Sequence, residues 1–217
     1  MLKRTILMFS LLRAPSFADV ASVIEKHIMP RHAAFSKSTQ ALAKDAHETC
    51  DPALLKPAFH AAYDAWISVS HIQFGPIEDQ GSALVFMYWP DPKDSTGKAL
   101  NRLISATDPI VDDASSFAEV SVAAQGFTAL ERLLFDLQSD TAYACRLTRA
   151  IARGLAENSD KLSAAWPEFA NIMTTGGADG NTRFQSPAEA QRVLYTALTT
   201  GLEFLHDQRL GRPLGTF

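Results

Sequence analysis

Glu131 stands within Gly126-Phe-Thr-Ala-Leu-Glu-Arg-Leu-Leu-Phe135, a stretch whose other side chains are mostly apolar. At helical spacing Phe127, Leu130, Leu134 and Phe135 are expected to face a core, and Glu131 adjoins that stripe. A carboxylate drawn into such surroundings needs a cation, a metal or hydrogen-bond donors to offset its desolvation. Glu131 therefore reads either as a metal ligand or as half of a structural ion pair, with Arg102 for example. His71, near the end of an amphipathic helix and just before Glu78 and Asp79, offers the nitrogen donor that transition metals favour. Its plain alternative is a half-buried histidine satisfied by a backbone carbonyl. Glu78 and Asp79 read either as hard-metal ligands or as caps of the loop that carries them. Glu203 and His206 form Glu-x-x-His, the spacing of di-iron carboxylate bundles. Such a site needs two copies and two further glutamates, and this is the only copy in the chain. A mononuclear site joining Glu131 to Glu203 or His206 requires their helices to face each other. His27, His32, His47 and His60 show no convergent spacing and are expected in solvent, while Trp66, Tyr88 and Trp89 read as core aromatics in preference to a ligand-binding face.

The elements that must hold these residues are helical nearly throughout. Asp19 can cap a first helix carrying Val20, Val23, Ile24 and Ile28, with Pro30 expected to kink or interrupt it before it resumes to about His47. Asp51-Pro52 is a strong helix start, and this second helix should run to about Phe74. Gly75-Pro76 ends it. Residues 75–96 then form the longest irregular stretch, in which 85–88 could be a short extended piece without a partner. Further helices are expected over about 96–106, 115–137, 139–164 and 187–209, with a flexible turn at Gly176–Asn181 and a terminal loop from Arg209. The fold class is all-α: a helical bundle, with two small bundle-like halves, 19–110 and 111–217.

The composition narrows the functional classes. The 217 residues are 47% hydrophobic and 20% charged with a net charge of −4, which suits a globular chain with a real core. No Lys/Arg run gives a footprint for nucleic acid, and that class of partner is set aside. Met1-Leu-Lys-Arg4, the apolar Thr5–Leu12 and the small residues Ser16 and Ala18 together read as a signal peptide over 1–18, cleaved before Asp19. No later stretch has the ~18–20 apolar residues of a membrane helix, so no membrane span is expected after signal removal. The localisation expected is periplasmic. In that oxidising setting Cys50 and Cys145, the only 2 cysteines, either form a disulfide or remain two separate buried thiols.

Several longer elements carry a resemblance. These are Ala65-Trp66, Phe74-Gly-Pro-Ile-Glu-Asp79, Trp89-Pro-Asp91, Gly126–Phe135, Tyr195–Phe204 and the ending Gly211–Phe217. With them the chain resembles the imelysin family, also called the M75 peptidase or iron-regulated protein A-like family, and within it the alphaproteobacterial branch. The resemblance implies an exported helical protein linked to iron uptake. It also implies a signature Gly-x-His-x-x-Glu that binds metal or forms the functional site. Gly126 and Glu131 match that signature, whereas Thr128 occupies the place of its histidine. A hydroxyl is a weak neutral ligand by comparison. No HExxH pair and no nucleophile–base arrangement supports the peptidase label. The leading expectation is a non-enzymatic protein that binds iron or another divalent metal, or a metal-bearing small ligand, in a cleft between helical halves. The alternatives are a metal-independent module for a periplasmic partner protein and, behind it, an M75-type peptidase.

Overall fold

The computed structural model describes residues 19–79, 83–136 and 142–215; the signal reading over 1–18 and the terminal Phe217 lie outside them. The described chain is helical without a strand. Helix α1 passes without a break through Val20–Val23, a π-helical Ile24–Ile28 and Met29–Glu48. Asp19 caps it by accepting the Ser22 N–H at 2.6 Å. The interruption expected at Pro30 does not occur, because its missing N–H falls where the π turn hands over to α-helix and the bonding pattern changes anyway. Helix α2, Pro52–Val69, starts at Asp51, whose carboxylate accepts the Ala53 N–H at 2.8 Å. A one-turn α3, Pro76–Asp79, and the 3-10 turn Ala83–Val85 lead to α4, Ser95–Ala106. Residues 85–88 form no strand.

The helix expected over 115–137 is three pieces: α5, Ala114–Ala118, a 3-10 turn Val122–Ala124, and α6. Helix α6 runs over Gly126–Glu131 and continues as a π-helical Arg132–Asp136. The break has a side-chain cause. Gln125 donates to the Val120 carbonyl at 2.6 Å and the Ala118 carbonyl at 3.2 Å, satisfying the acceptors that the end of α5 leaves free. Helix α7, Ala142–Thr174, extends well beyond the expected end near 164. Helix α8 covers Pro187–Phe204 and continues as a π-helical Leu205–Gly211, where a loop was expected from Arg209.

The long helices α1 and α7 lie antiparallel, with α2 packed on α1. Two hydrophobic clusters follow this pair. The larger gathers Phe35, Phe59, Trp66, Phe86, Phe127, Leu130 and Leu147. The smaller gathers Ile24, Ile28, Ile72, Phe74, Trp166 and Phe169. Each aromatic or aliphatic side chain so buried is worth roughly 1.5–3 kcal/mol relative to exposure. Between the helices, the buried hydroxyls of Thr39 and Ser159 meet at 2.6 Å, so this polar pair is satisfied inside the apolar seam. At the far end Arg149 donates from Nε to the Ala46 carbonyl at 3.0 Å, and Cys50 is bonded to Cys145 with Cα atoms 5.3 Å apart. Helix α8 keeps an open apolar face that includes Tyr195, Leu198 and Leu202.

Candidate metal centre

The singled-out residues do not gather at Glu131. Its side chain is exposed on α6, and Phe135, expected in the core, is exposed too. The physical reason is the short α6: Phe127, Leu130, Leu133 and Leu134 supply the buried face, and the π turn from Arg132 rotates the following residues out of the simple helical register. Arg132 spends its charge on Asp94 and Asp136, at 3.3 and 2.9 Å. Arg102, considered as a partner for Glu131, borders a separate hollow of about 420 Å³ with Lys98 and Asp108.

The two acidic loop motifs hold backbone together. Glu78 accepts the Gly75 N–H at 3.2 Å and pairs with Arg183 at 3.2 Å, while Asp79 meets the same guanidinium at 3.5 Å. Arg183 also lies over the Phe169 ring, 5.0 Å from its centre. Asp91, of Trp89-Pro-Asp91, accepts the N–H groups of Ser95 and Thr96, each at 2.8 Å, at the start of α4. Those backbone donors hold its carboxyl below the usual range. Trp66 is buried as expected for a core aromatic, but Trp89 is 38% exposed, edge-on to Phe204. Glu203 and His206 are both exposed at the end of α8, where His206 Nδ1 lies 2.7 Å from Asp207. Among the described residues, no three His, Cys, Asp or Glu side chains are arranged to hold a metal ion.

What the fold does bring together is histidine. His71, just past α2, faces His27 on the π-helical turn of α1 with their Nε2 atoms 3.3 Å apart and rings 62° from parallel. His32 lies one and a half turns further along α1, buried against Trp166. Its Nδ1–H donates to the Ile28 carbonyl at 2.9 Å, because a carbonyl can only accept. Burial, more than anything else, lowers all three imidazoles from their ordinary value, His32 to about 4. The Arg31 guanidinium adds to this at His27, and His27 and Arg31 add to it at His71. At neutral pH the cluster is therefore uncharged, with nitrogen lone pairs available to a metal.

Neither His27 nor His32 is in solvent as expected. The signal was obscured because the pair spans 44 residues and one member sits on a π turn, a common feature of functional sites that helical periodicity does not reveal. From the other side Gly201 of α8 closes on His71: a Cβ there would lie 2.8 Å from the His71 Cβ.

The two places where a metal is implied compare unequally. At the signature, Thr128 Oγ1 is buried without a hydrogen-bond partner among the described residues, and Glu131 points its charge to water's side of α6. Gly126 serves the backbone instead: its φ is +71°, a Cβ would collide with the Phe86 carbonyl, and the next N–H, of Phe127, donates to that carbonyl at 2.7 Å. That donor set does not fit a metal. At the histidine pair, two nitrogen ligands at a metal–nitrogen distance of about 2.05 Å in tetrahedral array stand about 3.3 Å apart. The observed 3.3 Å fits. It is also the length of one N–H···N bond between the rings.

Fold and site together define a class: an all-helical bundle built on one antiparallel helix pair, carrying a neutral, half-buried histidine pair where α1, α2 and α8 meet. The imelysin family model, peptidase M75, matches residues 28–216, and the chain belongs to that family. No curated protein sequence matches it. Among solved structures, an imelysin-like protein from Psychrobacter arcticum 273-4 superposes with a TM-score of 0.78 at 20% identity, over 90% of this chain and 62% of that one. At that identity the likeness shows the fold, and the chain spans 62% of the length of its structural relative.

Proposed function

We propose that this imelysin-family protein is exported and binds a divalent metal ion, or a small ligand bearing one, at His27 and His71, as part of iron uptake. The observation that carries the reading is the 3.3 Å approach of two uncharged Nε2 atoms. Each ring would give one nitrogen, a donor set that suits iron, zinc, nickel or copper. The metal would supply Lewis-acid binding of a ligand's oxygen or nitrogen atoms, while the chain orients the two rings and shields them with α8. The Cys50–Cys145 disulfide supports export, since such bonds persist in oxidising compartments. No described helix is long and apolar enough to cross a membrane, in keeping with a protein released after signal removal.

Calorimetric titration with zinc, and anaerobically with ferrous ion, tests the site. One equivalent should bind, His71→Ala or His27→Ala should weaken it at least about tenfold, and Glu131→Ala should leave it unchanged. Unaltered binding in both histidine variants would reduce the pair to a ring–ring hydrogen bond and remove the assignment.

A further inference from the structure

Two histidines do not complete a coordination sphere: a closed structural site takes four protein ligands, and an open one leaves positions to water or substrate. With no third His, Cys, Asp or Glu gathered beside the pair among the described residues, the remaining positions fall to whatever arrives with the metal. The charge next to the pair is positive. Arg31 stands one turn along α1 from His27 and directs Nη1 to the His27 carbonyl at 3.4 Å. Among the described residues it forms no ion pair with a carboxylate. Other guanidiniums of the fold are paired: Arg183 with Glu78 and Asp79, Arg132 with Asp94 and Asp136, Arg146 with Asp112. A bare dication approaching two neutral rings would meet an uncompensated guanidinium. A metal already wrapped by carboxylates would find in that guanidinium a planar fork for bidentate hydrogen bonds.

Resting on the histidine-pair reading above, we infer that this seat takes its metal as an anionic chelate, with His27 and His71 filling two adjacent coordination positions and Arg31 receiving the chelator's carboxylate. The exchange balances simply. Two metal-bound waters leave and the two Nε2 lone pairs replace them; the ring that donates in the free pair shifts its proton from Nε2 to Nδ1 through solvent, so no proton is gained or lost overall and no electron moves. Half-burial of His27, Arg31 and His71 leaves the seat open to a ligand of this kind.

Nickel nitrilotriacetate is a suitable probe: it carries one negative charge and leaves two adjacent positions on the metal. Titrating untagged protein with this chelate and, separately, with nickel chloride compares charged and bare forms at one site. In Arg31→Gln, chelate binding should weaken about three- to tenfold while bare nickel binds equally or more tightly, as expected for removing a nearby charge of opposite effect on the two. Arg31→Lys should restore much of the difference, and His71→Ala should abolish binding of both forms. Equal effects of Arg31→Gln on the two forms, or binding of bare nickel with no binding of the chelate, would overturn the chelate inference and leave the metal site standing. Binding of neither form would overturn the site itself.

Discussion

His32 sits out of water against Trp166, and burial holds its imidazole down at about 4, from an ordinary 6.5. In the unfolded chain it takes a proton near its ordinary value, so between about 6.5 and about 4 the unfolded state binds more protons. The stability this neutral residue contributes is full above pH 6.5 and declines as pH falls to about 4, by on the order of 3 kcal/mol at most. His27 and His71 act in the same direction. Urea midpoints of wild type should fall between pH 7.5 and 5, and His32→Leu should flatten that dependence; an unchanged slope would contradict it. At Thr128 the buried hydroxyl has no partner among the described residues, so Thr128→Val should be neutral or stabilising by up to about 1 kcal/mol in thermal denaturation. The contrast between Glu131 and His27 marks what was legible at this scale. An acid beside an apolar run is visible in a sequence, but whether it turns inward depends on which flank of the apolar stripe the neighbouring elements cover, and Glu131 falls on the uncovered side of the α-helical turn that precedes the π segment. A pair of histidines made by tertiary packing has no local trace.

Helix starts were legible because their chemistry is local: Asp19, and Asp51 with Pro52, each cap the helix that follows. The division of 114–136 was not, because it depends on Gln125 folding back onto carbonyls five to seven residues earlier and on Gly126 admitting the Phe86 carbonyl. Gly126→Ala should cost roughly 2–4 kcal/mol, combining left-handed backbone strain with that collision. Circular dichroism melts check this, and a neutral result would mean the Phe86 contact yields easily. Helix α8 tests its own role at the site. Gly201→Ala must move either α8 or the backbone near His71, since the obstructing atom is a Cβ rather than a flexible tip. Zinc affinity should drop about three- to tenfold with the helical fold retained, because ligand positioning depends on the packing behind it.

Across the whole molecule, α1 and α7 supply both hydrophobic clusters and are bonded at one end by Cys50–Cys145, across a sequence separation of 95 residues. Closing so long a loop restricts the unfolded chain by about 4–5 kcal/mol in the chain-entropy view. The double variant Cys50→Ala/Cys145→Ala should lower the guanidinium midpoint accordingly, with the histidine pair at the opposite end of α1 still able to bind zinc. The all-helical architecture was legible from periodicity and the family motifs. The motifs' jobs were not: Glu78 and Asp91 turn out to hold loops and helix starts, and the neutral nitrogen donors lie elsewhere.

The claim that His27 and His71 form the metal seat is tested most directly by nitrogen-15 NMR of the imidazoles during zinc titration. The account predicts that Nε2 of these two residues shifts to a metal-bound position at one equivalent, while His47 and His60 stay unchanged. Zinc-bound shifts at His206, or none at His27 and His71, would contradict it.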